Sequence, residues 1–320
     1  MIAGASQPHR SGSGGEPVKA LVIGYGSIGA RHADVLTALG CSVAVLSRRA
    51  VDAPLVFSDL AVALAVHAPD YVVIANETDQ HYPTLGALAK ADFRGTVMVE
   101  KPLFMHSEPI PANHFRQASV AYNLRFHPVI QRLKELIAGE QVLSVNAYVG
   151  QYLPDWRPEV DYRTSYSAMA DRGGGVLRDL SHELDYLNWM LGGWNSVAAL
   201  GGHVSPLEIT SEDAFSLLMT TVRCPIVSVH LNYLERVATR SITINTSGAT
   251  LHADLIKGTV RINQELQTFQ TERNTTYRAM HQTVLAGAGE IACSFPEATD
   301  TLALIEAAVR AADTRTWITK

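Results

Sequence analysis

The stretch KALVIGYGSIGARH at residues 19–32 limits what this chain can fold into more than any other. Residues 20–23 are a short apolar run that reads as a fully buried parallel strand, and a helix-forming segment follows over 27–39. Gly24, Gly26 and Gly29 fall between the two and into the start of the helix. That spacing is the one a dinucleotide-binding turn requires. One glycine makes the turn, one lets backbone N–H groups approach a pyrophosphate, and one lets helix and strand pack closely. Ser27 and Ile28 stand at the helix N-terminus, where unpaired donors and the positive dipole end suit phosphates. A tight turn with no ligand is the competing reading of the glycines.

The segments that follow continue a parallel sheet. Residues 42–46 form a second β-branched run, and the residue type at its end bears on the cofactor. An acidic side chain there would bond the adenosine ribose 2′-hydroxyl. Here stand Ser47, Arg48 and Arg49. Two guanidiniums and a hydroxyl suit a 2′-phosphate, so NADP(H) is expected, with NAD(H) as the alternative and a solvated basic loop as the plainer reading. Residues 71–75 read as another buried strand that releases Asn76 to His81 into a loop. Ligands of open parallel sheets bind beyond the carboxyl ends of strands, so this loop should border the cofactor. A strand over 96–99 then runs into Glu100, Lys101 and Pro102. A lysine there is placed to bond a substrate hydroxyl or carbonyl, and a side chain reaching from a strand end to the surface is the alternative. Over 105–117, Pro109 and Pro111 oppose a regular helix and predict an irregular connection.

Bulk properties exclude several classes. A chain of 320 residues has room for two domains. A net charge of −5 argues against a nucleic-acid partner. No apolar run reaches the roughly eighteen residues of a membrane span. Cys41, Cys224 and Cys293 form no CxxC pair, so neither a metal site nor a disulfide framework is expected, and a reducing cytoplasm is the default location. Residues 1–17 are rich in Gly, Ser and Pro without an apolar core segment, and read as a flexible tail and not a signal peptide.

In the second half, GGGVLRDLSHELDYLNWM at 173–190 is the most informative piece. A helix is expected after the glycines. Asp179 and His182, three residues apart, would share one of its faces. A carboxylate and an imidazole held together can do acid–base work, and a purely structural cap is the alternative. Upstream, residues 152–163 mix proline, aromatic and charged residues without period. Trp156, Arg157 and Tyr162 there would clamp a polyol or its acidic derivative, or simply pack a loop. Strands are expected over 196–200, 214–221, 226–233, 240–246, 249–254 and 259–263, and consecutive strands without intervening helices predict a mostly antiparallel sheet. Helices over 277–286 and 296–312 close the chain. His203, His230 and His252 stand alone on strands and read as packing or surface residues. The expected organisation is a dinucleotide-binding domain over 18–122 and an α+β domain over 123–320.

Taken together, the glycine turn, the loop from Asn76 to His81, Glu100-Lys101-Pro102, YNLRFHP at 122–128 and GGGVLRDLSH at 173–182 resemble the Gfo/Idh/MocA family. Its founders are glucose–fructose oxidoreductase and inositol 2-dehydrogenase. The resemblance implies a doubly wound parallel sheet followed by an open antiparallel sheet covered by helices. It implies hydride transfer between NAD(P) and a secondary alcohol of a sugar, sugar acid, nucleotide sugar or cyclitol. Two rival activities are redox-assisted glycoside cleavage with retained NAD, and a non-catalytic NADP-binding regulator. The resemblance further implies that Lys101, Asp179 and His182 form the reacting centre, with His182 as base. The family usually separates the last two by one residue more. Asn123 and Arg125 are implied near the nicotinamide half or the substrate pocket, and the open sheet face as the interface of a dimer or tetramer. The LRDLSHELDY run looks like that of members tied to surface-polysaccharide or nonulosonic-acid pathways, which points to an acidic or nucleotide-linked sugar.

Overall fold

The computed structural model describes residues 16–287 and 289–320, so most of the tail expected over 1–17 lies outside the described residues. Six parallel strands begin the chain: β1 (Lys19–Ile23), β2 (Ser42–Leu46), β3 (Val56–Phe57), β4 (Tyr71–Ile74), β5 (Thr96–Val99) and β6 (Gln117–Val120). They pair in the order 6-5-4-1-2-3. Successive residues on a strand point to opposite faces, and both faces here are dry. Leu21 and Ile23 join one core with Leu85 and Leu88 of α3 (His81–Lys90). Ala20 and Val22 join another with Val35 and Leu36 of α1 (Ser27–Ala38). This is why the strands read as unbroken apolar runs. Helix α2 (Leu60–His67) starts at Asp59, whose carboxylate accepts the Val62 N–H. As expected from Pro109 and Pro111, the connection from β5 to β6 carries no helix.

Beyond α4 (Pro128–Leu136) comes β7 (Val142–Gly150), then the short helix α5 (Val176–Asp179) and α6 (His182–Leu191). The second sheet is completed by β8 (Trp194–Gly202), β9 (Ala214–Thr221), β10 (Val227–Asn232), β11 (Thr239–Thr246), β12 (Thr250–Asp254), β13 (Thr259–Ile262) and β14 (Glu265–Thr268). Its order is 14-13-12-11-7-10-9-8, antiparallel except between β7 and β10. Along β9, Phe215, Leu217 and Met219 are buried while Ser216 and Leu218 are exposed. The inward face packs against Ile130 and Leu133 of α4 and Leu184 and Leu187 of α6. Among the described residues the outward face carries no layer of its own.

The chain then returns to its beginning. Helix α7 (Thr275–Leu285) places Tyr277, Met280 and Val284 in the core beside α1. Strand β15 (Cys293–Ser294) pairs antiparallel with β6 as the seventh strand of the first sheet. Helix α8 (Phe295–Thr314) opens with a capping box made by Ser294 and Glu297. Its first turns bury Ala298 and Leu302 in the first domain, and Leu304 to Ala311 lie in the core of the second. Strand β16 (Ile318–Thr319) then pairs with β8. The expected boundary at 122/123 thus follows chain order, whereas in space residues 275–302 belong largely with the first sheet. Among the described residues no helix is long and apolar enough to cross a membrane.

Candidate active site

A cleft of about 790 Å³ opens beyond the carboxyl ends of β1, β2, β4 and β5. It straddles the β1–β4 junction, where the strand order reverses and ligands of doubly wound sheets bind. Gly24, Gly26 and Ser27 line it. Gly24 has φ +93°, and a Cβ there would press on the Asn76 backbone at 2.6 Å. A Cβ on Gly29 would collide with the Gly24 carbonyl oxygen, so α1 can approach the turn only through glycine. At Gly26 a Cβ would meet nothing within 4 Å, because that edge faces the open cleft. The partly buried Ile28 side chain packs against the core and does not line the cleft, which leaves only its backbone N–H at the helix N-terminus.

The end of β2 presents Ser47, Arg48 and Arg49 to the same cleft. Ser47 Oγ donates to the Arg49 carbonyl at 3.0 Å and accepts the Arg49 N–H at 3.1 Å, which folds the basic pair into a tight turn. Arg49 stands 3.8 Å from Glu77, while Arg48 makes no side-chain hydrogen bond among the described residues. In the loop after β4, Asn76 donates from Nδ2 to Thr84 Oγ1 at 2.8 Å. Its Oδ1 is buried with no partner and is free to accept a hydroxyl. His81 also lines the cleft, and its ring reaches the carbonyls of Asn76 (3.2 Å) and Pro102 (3.0 Å). Burial lowers its pKa, so the ring is held neutral between the loop after β4 and the turn after β5, its one N–H donating to one of these carbonyls.

Lys101 enters the cleft from the end of β5, and its Nζ donates to the Asp179 carbonyl at 2.7 Å. The expected Asp179–His182 pair does not form. The helix breaks at Leu180 and Ser181, so a three-residue offset no longer puts the two side chains on one face. Asp179 Oδ2 instead accepts the Tyr233 hydroxyl at 2.6 Å. Tyr166 brings its hydroxyl to the same carboxylate. The Asp179 charge, then burial, holds the Tyr166 pKa well above its ordinary value, and burial followed by Asp179 does so for Tyr233. Both phenols therefore remain donors. The half-buried His182 ring lies edge-on to Tyr122, and its Nδ1 is buried without a partner. Burial, with Lys101 and Arg240 nearby, pushes its pKa well below that of free imidazole.

Two residues implied near the cofactor lie elsewhere. Asn123 donates to Thr276 Oγ1 at 2.7 Å, fastening α7. Arg125 is buried against Asp185, with bonds of 2.9 and 2.7 Å, and reaches Glu297 at 3.0 Å. A short helical turn after β6 swings both away from the cleft. Of the loop residues, Arg157 lines the cleft. Trp156 packs edge-on to Tyr233, and with Tyr162 it walls an adjoining cavity of about 70 Å³. Residues not anticipated at the site are Tyr166, Tyr233 and Arg172, whose guanidinium meets Glu77 at 3.3 Å across the cleft. Tyr166 and Arg172 sit in irregular segments with no period to mark them. Tyr233 directly follows β10, a position its strand pattern does reveal. Among the described residues no group of three His, Cys, Asp or Glu side chains could hold a metal ion.

Two family models match the chain. Residues 18–114 match an oxidoreductase family with an NAD-binding Rossmann fold, and residues 130–252 match the GFO/IDH/MocA C-terminal domain. No curated protein matches it by sequence. Among solved structures it is similar to GenD2 from gentamicin A biosynthesis in complex with NAD, at 22% identity and TM-score 0.79, covering 98% of this chain and 99% of that one. It is also similar to the WlbA dehydrogenase from Bordetella pertussis in complex with NADH and UDP-GlcNAcA, at 19% identity and TM-score 0.76, covering 95% and 98%. Levoglucosan dehydrogenase, in complex with NADH and L-sorbose, aligns at 15% identity and TM-score 0.81, covering 94% and 98%.

Proposed function

The chain belongs to the Gfo/Idh/MocA family of NAD-binding oxidoreductases, and from that premise we propose that it moves a hydride between nicotinamide C4 and a secondary alcohol carbon of a sugar-type substrate. The observation that carries this reading is Lys101, set in the cleft at a strand end with its ammonium held by the Asp179 carbonyl. The cleft fits the cofactor: the open edge at Gly26 leaves room for a pyrophosphate, and the unpartnered Asn76 Oδ1 suits a ribose hydroxyl. Bound nicotinamide supplies the hydride acceptor or donor. Lys101 retains N–H donors for the substrate oxygen, so its charge would favour loss of the hydroxyl proton. His182 is the base in this reading, and Asp179 orders Tyr166 and Tyr233 around the substrate. A sugar acid or nucleotide-linked sugar fits the exposed Arg157, and WlbA is in complex with UDP-GlcNAcA. Screening sugars, sugar acids, nucleotide sugars and cyclitols for absorbance change of added cofactor tests the activity. Cofactor that returns unchanged while substrate is cleaved would identify transient-oxidation chemistry instead.

NADP(H) is the cofactor we infer to be preferred, because Ser47, Arg48 and Arg49 stand where an acid would read the ribose. A charge-assisted contact is worth roughly 1.5–3 kcal/mol, enough for at least about a tenfold preference. Titration of both cofactors into wild type and Arg48→Ala should show that preference shrinking in the variant, with NAD(H) affinity nearly constant. Equal wild-type affinities would rule the preference out.

The pH dependence of alcohol oxidation follows from His182. Only the neutral ring can accept a proton, and its lowered pKa keeps it neutral below the ordinary imidazole value of about 6.5. The acid limb of kcat should therefore lie below that value, and His182→Asn should flatten it. A limb that persists unchanged in His182→Asn would assign it to another group.

Self-association through the outward face of the second sheet, where Leu200 and Leu218 are exposed, belongs to the same reading. A reducing, cytoplasmic setting accords with the free thiols of Cys41, Cys224 and Cys293.

A further inference from the structure

Behind Lys101 lies a row of buried titratable groups that the hydride-transfer reading leaves unused. Glu100 Oε1 meets His32 Nε2 at 2.8 Å. His32 Nδ1 meets His281 Nε2 at 2.8 Å, and His281 Nδ1 meets the Tyr71 hydroxyl at 2.9 Å. The second oxygen of Glu100 accepts the Lys101 backbone N–H at 3.0 Å. Both histidines are fully buried, as is Tyr71, and Glu100 is 6% exposed. The four residues come from β4, the end of β5, α1 and α7, which are distant in sequence.

The proton inventory allows one order while Glu100 is ionised and both histidines are neutral. A carboxylate can only accept, so His32 Nε2 must donate. A neutral His32 then offers Nδ1 as an acceptor, so His281 Nε2 must donate to it. His281 Nδ1 is left as an acceptor, and the Tyr71 hydroxyl must supply the last proton. Every ring nitrogen and both Glu100 oxygens are then satisfied, with no proton to spare. The opposite order requires one added proton on Glu100 and inverts both tautomers, leaving the Tyr71 hydroxyl to donate to Met98 Sδ at 3.3 Å. Burial is the largest influence on Glu100 and raises its pKa, but the bond and charge of His32 together with the charge and N–H of Lys101 outweigh it, and the net direction is down. Burial, with His32 beside it, pushes His281 well below free imidazole. The other titratable groups facing the row are Tyr277 against the His32 ring, Arg31 over Tyr277, Cys41 near Tyr71, and Lys101 and His81 beside Glu100.

We propose that the row Tyr71–His281–His32–Glu100 is a positioning device for Lys101, in which His281 of α7 fixes the tautomer of His32 and thereby the carboxylate that holds the Lys101 backbone. The proposal rests on the reading of Lys101 as the reacting-centre lysine. His281 touches neither the cleft nor Lys101 and acts only through the row. Helix α7, which packs Tyr277, Met280 and Val284 into the core of the first domain, also brings in His281 between His32 and Tyr71.

The test begins on cofactor-free, full-length protein. Nitrogen-15 NMR should find His32 and His281 neutral and Nε2–H near neutral pH. The Lys101 amide proton should sit far downfield, as expected for a bond to a carboxylate. His281→Phe keeps a ring of similar size but no polar atom, whereas His281→Gln keeps a donor and an acceptor in a smaller side chain. The Lys101 amide should move in the Phe variant and stay near its wild-type position in the Gln variant. Turnover should follow: His281→Phe loses roughly tenfold or more in kcat with little change in KM, since small misplacements at a reacting centre are costly, and His281→Gln recovers most of it. A role in packing alone predicts the reverse ranking. An Nδ1–H or cationic state of either histidine in wild type would overturn the proposal even if both variants failed to fold. So would a Lys101 amide that does not move in His281→Phe. Full activity of Lys101→Met would instead refute the role of Lys101, leaving the NMR result to judge the row by itself.

Discussion

Lys101→Met should lower turnover by about 10²–10⁴-fold, the range for loss of a positioned proton-handling group, while cofactor affinity stays within a few-fold of wild type. The side chain lies at the end of β5, with its backbone fixed by Glu100 and its ammonium by the Asp179 carbonyl. Those two anchors come from the two domains, so in the proposed reaction the reacting carbon would lie where the domains meet. Methionine keeps the length and apolar stem of lysine but removes the charge and the donors, so the fold around β5 should persist. Single-turnover rates beside cofactor titration separate the two effects. A variant with wild-type turnover would show Lys101 to be only a lysine at a strand end. The same measurement on His182→Ala should show a comparable loss, because its unpartnered Nδ1, kept unprotonated by the lowered pKa, is free to take a proton.

Arg125→Ala should destabilise the protein by about 3–5 kcal/mol, the cost of breaking a buried ion pair by removing one partner. Arg125 is 1% exposed, forms two bonds to Asp185, which is equally buried, and adds a third to Glu297. It joins the turn after β6 to α6 and to the start of α8. Burial opposes its charge, but Asp185, with Cys293 and Glu297 adding to it, outweighs burial and holds it charged. With the guanidinium gone, the Asp185 carboxylate would be left in the interior. Denaturant unfolding measures the loss, and Arg125→Ala combined with Asp185→Leu should recover part of it, because the second change removes the stranded charge. Unchanged stability with lost cofactor binding would return Arg125 to the role implied by the family resemblance.

The first sheet was legible because it is buried on both faces. Runs such as 20–23 and 71–74 need no partner to be read, and the glycines between β1 and α1 mark a turn whose geometry admits little else. The alternation along β9 and β10 likewise made the second sheet readable. The ligand face followed from strand ends, so Lys101, Asn76, His81 and the Ser47-Arg48-Arg49 turn were placed in the cleft from local sequence. Contacts between distant segments carry no such periodicity, and these the tertiary structure alone decided. Asp179 and His182 are separated by a two-residue break in the helix that no spacing rule foresees, and Asp179 takes its hydroxyl donors from Tyr166 and Tyr233 instead. Asn123 and Arg125 stand in a motif that suggests cofactor contact, but a short helical turn aims them at α7, Asp185 and Glu297. His281 lies 210 residues from Tyr71 and 249 from His32, yet shares buried hydrogen bonds with both. A sequence records which groups need partners once buried, whereas packing determines which partners they meet.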